Sequence, residues 1–322
     1  MKKITIIIPC YNVERYIAKC ISSVFQQDLH EDEFEVIIVD DDSPDGSLAI
    51  AREVTQNRKN ITIISQENKG LGGARNTGVL NATGEYLLFL DSDDWLLPNV
   101  LKNLLIIAEQ DDLDILEFSA QGINSEGKIL YQISNNSTVF NSGFDYYNNI
   151  RYMNSACNKL YRRDFLRKNN ILFLEQIFIE DFEFNTRCFS SVKRIRATDL
   201  VVAQFLQSEN SITRNTDDSK KNKMISDIIA VIKKTHNLST EFPTCKQTDL
   251  FFLERMNFLV ATLFFQLVKR RSSYEEVKAL KSQLIKEDVF YVNHQIFDVK
   301  KNIFRILLLK NLWLYPVVRF FK

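Results

Sequence analysis

Apolar residues along the first hundred positions alternate between two rhythms. Residues 4–8 form a short β-branched run. A run without polar alternation predicts a strand buried on both faces. Residues 13–27 follow, with Ile17, Ile21, Val24 and Phe25 on one face of a helix. The exchange then repeats. Strands are expected at 35–39, 61–65 and 86–90, and helices at 47–56, 73–82 and 98–109. This βαβαβαβ order predicts an α/β protein with a mainly parallel, doubly wound sheet. Ligands of such sheets sit beyond the carboxyl ends of the strands. The polar residues just after each strand therefore carry the functional question.

Further on, 114–119 reads as a strand, and the polar, glycine-containing stretch 120–142 as turns or a hairpin. Helices are expected near 162–167 and over 181–190, with a strand at 200–206. Near Thr216 the character changes: a charged run over 217–223 opens a remainder that reads as helices. The expected division is an α/β domain over 1–215 and a helical C-terminal region over 216–322. No internal repeat or low-complexity tract interrupts it.

Composition narrows the class. The 322 residues are 45% hydrophobic and 25% charged, as in ordinary globular proteins, and 24 phenylalanines can furnish a sizeable core. Lys plus Arg and Asp plus Glu balance at 41 each, so no global basic field points to nucleic acid. Five cysteines (Cys10, Cys20, Cys157, Cys188 and Cys245) lack CxxC spacing, and their odd number suggests reduced thiols in a cytoplasmic protein. The N-terminal apolar run is only about five residues, short of a signal core, and Pro9 ends it. No stretch reaches the ~18 uncharged residues of a spanning helix.

The first strand leads into Pro9-Cys10-Tyr11-Asn12, the second into Asp40-Asp41-Asp42-Ser43-Pro44-Asp45-Gly46, and the fourth into Asp91-Ser92-Asp93-Asp94. One sheet edge thus collects several carboxylates, whose mutual repulsion calls for a cation. Mg²⁺ is commonly held by one or two carboxylates plus substrate phosphates, which suggests a nucleotide diphosphate. Helix capping explains Asp42, Ser43 and Asp45 as well as a site does, and Asp41 less well. An Asp-x-Asp leaving a buried strand favours a site. Gly70-Leu71-Gly72-Gly73-Ala74-Arg75 opens a helix; it is either an anion cradle with Arg75 on the first turn or a set of flexible glycines. It is not a dinucleotide fingerprint, because the third glycine is replaced by Arg75 and the first βα turn carries no such glycines. Glu180-Asp181 breaks an apolar stretch at a helix start. Adjacent residues diverge, so one of them is expected to face a site, and the helix dipole alone also accounts for the pair. No Gly-x-Ser-x-Gly elbow is present, and His30, His236 and His294 form no zinc pattern with the cysteines.

These segments together resemble the family 2 inverting glycosyltransferases of the GT-A fold, especially bacterial enzymes of surface-polysaccharide assembly. The resemblance spans residues 3–215. It rests on the order and spacing of Ile6-Ile7-Ile8-Pro9-Cys10-Tyr11-Asn12, Val39-Asp40-Asp41-Asp42-Ser43, Gly70-Leu71-Gly72-Gly73-Ala74-Arg75-Asn76, Phe89-Leu90-Asp91-Ser92-Asp93-Asp94 and Glu180-Asp181. It implies a UDP-sugar donor, a glycan or lipid-linked acceptor, and Mg²⁺ or Mn²⁺. Pro9 and Tyr11 would line the nucleobase pocket, Asp41 would accept from the uracil N–H, and Arg75 would lie near the nucleotide. Asp91-Ser92-Asp93 looks like the DXD motif. Asp93 would ligate the metal, Asp91 would reach the ribose or the metal shell, and Ser92 would lie against the nucleotide. Asp181 would be the general base. Two positions depart from the pattern: Asp42 stands where the family commonly has Gly, and Leu206 and Ser208 replace basic residues, although Arg214 follows. Asn158-Lys159-Leu160-Tyr161-Arg162-Arg163 resembles an acceptor-side stretch, and a solvated basic helix start fits it equally.

The apolar stretch 251–268, which includes Glu254 and Arg255, reads as a packed helix. From Val299 onward six basic residues and no acids are mixed with leucines and aromatics. That mixture predicts either peripheral membrane contact through 299–322, at the inner face of the plasma membrane, or a tail docked on the protein. Two other functions use similar parts. A sugar-nucleotide pyrophosphorylase would need a basic glycine-rich loop after the first strand. A non-catalytic nucleotide-sugar binding module would need no base.

Overall fold

The structure, a computed structural model, describes residues 2–150, 153–207 and 218–318. The chain divides into two compact units, Met1–Ser211 and Ile212–Lys322. The boundary expected near Thr216 and the 208–214 stretch with its Arg214 lie outside the described residues.

In the first unit, β1 (Ile4–Cys10), β2 (Phe34–Asp40), β3 (Ile61–Ser65) and β4 (Tyr86–Phe89) form a parallel block in the order β3-β2-β1-β4. Every residue of β1 and β4 is buried, which is why these strands read as unbroken apolar runs. Between them come α1 (Ile17–Val24), α2 (Ser47–Thr55) and α3 (Gly70–Asn81). In α1, Ile17, Cys20, Ile21 and Val24 are buried at helical spacing. The helix is shorter than its apolar pattern because the backbone before it is tied to the next crossover. Val13 N donates to Ser47 Oγ at 2.8 Å and Glu14 N to Asp45 Oδ2 at 3.0 Å.

The glycines of α3 serve close packing. A Cβ on Gly78 would lie 2.3 Å from Ile7 Cγ2, and one on Gly72 would lie 2.4 Å from Leu174 O. They let the helix approach β1 and the chain near Leu174 without intervening side chains. Arg75 stands in the second turn of α3, not the first, and points inward.

Beyond β4 the sheet becomes mixed. β5 (Trp95–Leu96), α4 (Leu101–Gln110), β6 (Ile115–Ile123), β7 (Ile129–Ile133), α5 (Gly143–Asn149), β8 (Lys159–Arg162), α6 (Arg163–Lys168), α7 (Glu180–Ser191) and β9 (Ile195–Leu206) complete the unit. The sheet runs β3-β2-β1-β4-β8-β6-β9-β5, with β7 on β6. β8 is antiparallel to both β4 and β6, and β9 is parallel to β6. The basic stretch 158–163 is therefore not a solvated helix start. Lys159 is fully buried in β8, its Nζ donating to Met153 O, Ser155 O and Asn158 Oδ1 and lying 3.6 Å from Glu117 Oε2. Arg162 bridges Glu85 and Asp112. Lys159 and Glu117 are an internal pair, since an unpaired buried charge would be costly, whereas the Arg162 pairs reach the surface.

The second unit is helical: α8 (Asp218–Ser239), α9 (Lys246–Lys269), α10 (Tyr274–Lys286), α11 (Val299–Phe304) and α12 (Tyr315–Val318), with a π-helical turn at Arg305–Leu309 and a 3₁₀ turn at Leu312–Leu314. By length and composition α9 could cross a membrane, yet 67% of its apolar window is buried. It packs along α8 and α11. Its Glu254 is held inside, accepting from Phe297 N at 3.1 Å.

Candidate active site

The parallel register brings three motifs to one rim. Cys10 pairs with Asp40 and Ile7 with Phe89. The first bonds past the strands continue the ladder: Asp41 N donates to Cys10 O at 2.9 Å and Leu90 N to Ile7 O at 3.0 Å. Segments 9–12, 40–46 and 91–94 thus leave adjacent strands at their carboxyl ends.

Pro9 is buried within β1, whereas the Tyr11 ring is 51% exposed at the mouth. Asp41 is buried. Its Oδ1 accepts from Gln66 Nε2 at 2.6 Å and from Lys69 N at 2.9 Å, and its backbone oxygen from Asn68 Nδ2. Asp41 therefore organises the loop into α3 and keeps its second oxygen for another donor. Asp42 adopts φ 64°, the left-handed region that glycine favours and Asp tolerates. That gives a backbone reason for the glycine usual at this position. Asp45 caps the turn before α2 through Ser47 N at 3.1 Å, so for this residue the capping reading holds.

Arg75 organises the acids. Its guanidinium is fully buried, with Nη2 2.7 Å from Asp91 Oδ1 and Nη1 2.6 Å from Asp181 Oδ1 and 3.4 Å from Glu180 Oε1. Glu180 and Asp181 thus both reach the same cation, although adjacent helical residues were expected to diverge. Ile179 lies just before α7. It stands at φ 62°, a left-handed conformation unusual for a β-branched residue, and strain of this kind commonly marks functional sites. Asp181 Oδ2 also accepts from Ala156 N at 3.0 Å. Burial, and then the neighbouring Asp181, push the Glu180 carboxyl up to about 7, against the opposing pull of Arg75.

Asp93 differs from its neighbours. No side-chain bond to another residue holds its carboxylate among the described residues. Burial, and then the charge of Asp91, push it up to about 6. Ser92 is buried beside it. Asp94, which the sequence did not single out as a site residue, is buried too. It accepts from Leu206 N at 2.8 Å, and burial followed by the charges of Asp93 and Asp91 raises its carboxyl well above the usual range. Three buried thiols, Cys10, Cys20 and Cys157, surround this rim. Cys20 Sγ donates to Asp91 O at 3.6 Å, and Cys157 Sγ accepts from Arg75 Nη2 at 3.5 Å. Burial is the largest cause raising all three thiols, Cys10 to about 11.

No group of three His, Cys, Asp or Glu side chains among the described residues is placed to hold a metal ion by itself. A hard cation shared with a substrate diphosphate fits better. Among the described residues Asp93 offers a carboxylate without a side-chain partner, and Asp91 has one oxygen on Arg75 and the other left over.

Comparison with known proteins places the chain in a family and a fold. The profile of glycosyl transferase family 2 matches residues 5–169, just over half of the chain. The glycosyltransferase EpsJ of Bacillus subtilis is 33% identical over 217 residues, covering 65% of this chain and 62% of EpsJ. The poly(ribitol-phosphate) beta-N-acetylglucosaminyltransferase TarS of Staphylococcus aureus is 32% identical over 201 residues, covering 61% of this chain and 34% of TarS. The match thus spans less than two thirds of either relative. A crystal structure of S. aureus TarS residues 1–349 in complex with UDP-GlcNAc superposes with a TM-score of 0.66 at 26% identity, covering 79% of this chain and 72% of that one. The mannosyltransferase PcManGT of Pyrobaculum calidifontis, solved with GDP-Man and Mn²⁺, shares the fold with a TM-score of 0.57 at 16% identity, over 97% of this chain and 87% of that one. With its acid motifs gathered on the rim of a GT-A sheet and the family profile covering β1 to β8, the chain belongs to glycosyl transferase family 2.

Proposed function

We propose that the chain transfers a sugar from a UDP-sugar to an acceptor hydroxyl with inversion at the anomeric carbon. One observation carries this reading: Arg75 ties the Asp-x-Asp motif to Glu180-Asp181, so a donor side and a base side meet at one point. A TarS structure with UDP-GlcNAc, at 26% identity, supports the choice of donor. Tyr11 offers its exposed ring to the base and Asp41 its second oxygen to the uracil N–H. Asp93 and Asp91 would hold Mg²⁺ or Mn²⁺. When bound, the ion supplies positive charge to the diphosphate leaving group. Asp181 takes the proton of the acceptor hydroxyl, whose oxygen bonds to the anomeric carbon as the bond to UDP breaks. Each Asp181 oxygen keeps a lone pair for this, beyond the bond it already accepts. Arg75 fixes the direction of that carboxylate. The acceptor is a lipid-linked or growing surface glycan. The reaction runs in the cytoplasm, where five free thiols would stay reduced. The test is a panel of UDP-sugars assayed for UDP release with and without Mn²⁺, with Asp93→Ala as control. Release that is independent of the sugar, the metal and Asp93 would overturn the reading.

A further inference from the structure

Val299, Ile303, Ile306 and Leu307 recur at the spacing of one helical face. All four are exposed, Val299 at 64% and Leu307 at 59%, and Trp313 further along is exposed at 69%. The opposite side is also apolar, but it is covered. Leu308, Leu309 and Leu312 are buried, and Tyr315 Oη donates to Leu267 O and Ser272 O at 3.1 Å each. The segment is therefore docked on its own unit by one side, while a second apolar side faces solvent. Phe265 of α9 is also exposed, and its ring meets Phe304 edge-on at 5.6 Å. Apolar surface of this extent on a folded unit marks a place of contact.

Charge indicates what the face contacts. Two of the six basic residues counted in the sequence turn inward. Lys301 Nζ lies 3.5 Å over the Phe258 ring, and Arg305 donates to Val292 O at 2.6 Å. Lys300 and Lys310 point out beside the apolar face, and Lys269 Nζ sits 5.0 Å over Phe265. No acidic residue follows Asp298 in the chain. We propose that this face seats the second unit on a membrane surface carrying anionic lipid headgroups. Its aliphatic side chains and Trp313 enter the boundary between headgroups and acyl chains, and the outward lysines meet the headgroups.

The inference stands apart from the glycosyl-transfer reading, because vesicle binding needs no donor, acceptor or metal. The full chain is co-sedimented with phosphatidylcholine vesicles with or without phosphatidylglycerol. Binding is expected to favour the anionic vesicles strongly and to weaken with salt. Lys300→Glu with Lys310→Glu lowers binding to them by roughly tenfold or more, and Leu307→Asp with Trp313→Asp abolishes it. Circular dichroism should be unchanged, since all four side chains are exposed. Equal binding to neutral and anionic vesicles, or variants that bind like the parent, would overturn the proposal. So would a dimer in lipid-free buffer that Leu307→Asp dissociates, because the face would then be covered by a second copy.

Discussion

Arg75 and Asp181 are 106 residues apart in sequence and 2.6 Å apart at Nη1 and Oδ1. The same guanidinium holds Asp91, so three acids from two distant segments depend on one cation. Arg75→Ala leaves these part-buried acids without it and is expected to cost at most the ~3–5 kcal/mol of a fully buried pair. Arg75→Lys keeps the charge but loses the planar fork that spans the carboxylates. Turnover of the lysine variant should fall by about 10²-fold, as for a misplaced reacting group. Its melting temperature should lie between those of the alanine variant and the parent. Steady-state kinetics and thermal unfolding of both variants check this.

Asp181→Asn removes the proposed proton acceptor while keeping the shape of the side chain. Donor affinity should stay nearly unchanged while turnover drops by about 10²–10⁴-fold. Calorimetric titration with UDP and an initial-rate assay separate the two effects. Retained turnover would take the role of base from Asp181 and give the acceptor proton to another group.

Asp93 makes stability depend on pH. Its carboxyl is raised from 3.8 to about 6 in the fold, so the folded state favours the protonated form. That contribution is complete below about pH 4 and is lost as pH rises through about 6. Glu180 acts with the same sign up to about 7. The unliganded protein should therefore melt higher at pH 5 than at pH 8 as far as these groups decide. Asp93→Asn should raise the melting temperature at pH 8, by at most about 3 kcal/mol in stability. The variant should lose the stabilisation that UDP with Mn²⁺ gives the parent. Thermal scans at both pH values, with and without UDP and Mn²⁺, test both effects.

Two substitutions to or from glycine should act in opposite directions. Gly78→Ala drives a Cβ against Ile7 and should cost about 1–3 kcal/mol. Asp42→Gly relieves a left-handed residue and should contribute up to about 1 kcal/mol. Denaturant midpoints of the two variants give the signs directly.

β1, β2 and β4 were legible because buried strands are written as plain apolar runs, and β2 and β4 carry their acids just after them. β8 was not. Lys159 and Arg162 look solvated until their partners Glu117, Glu85 and Asp112 are known, and only the fold brings those together. The close packing of Gly72 and Gly78 was not legible, because a sequence does not show what Ile7 and Leu174 press against. Asp91, Asp93 and Asp181 could be named from their motifs. The bond that joins two of them through Arg75 is a long-range contact with no local pattern. Helical geometry predicted that only one of Glu180 and Asp181 would face a site, whereas both reach Arg75.

The thiols near the rim have a practical consequence. Thiolate is the reactive form, and burial keeps Cys10, Cys20 and Cys157 protonated well past neutrality. Cys245 is exposed, and its hydrogen bond with Thr248 holds its pKa below the usual thiol range. A maleimide dye at neutral pH should therefore mark the second unit at a single position and leave the chemistry of the first untouched, giving a fluorescent reporter without any engineered cysteine.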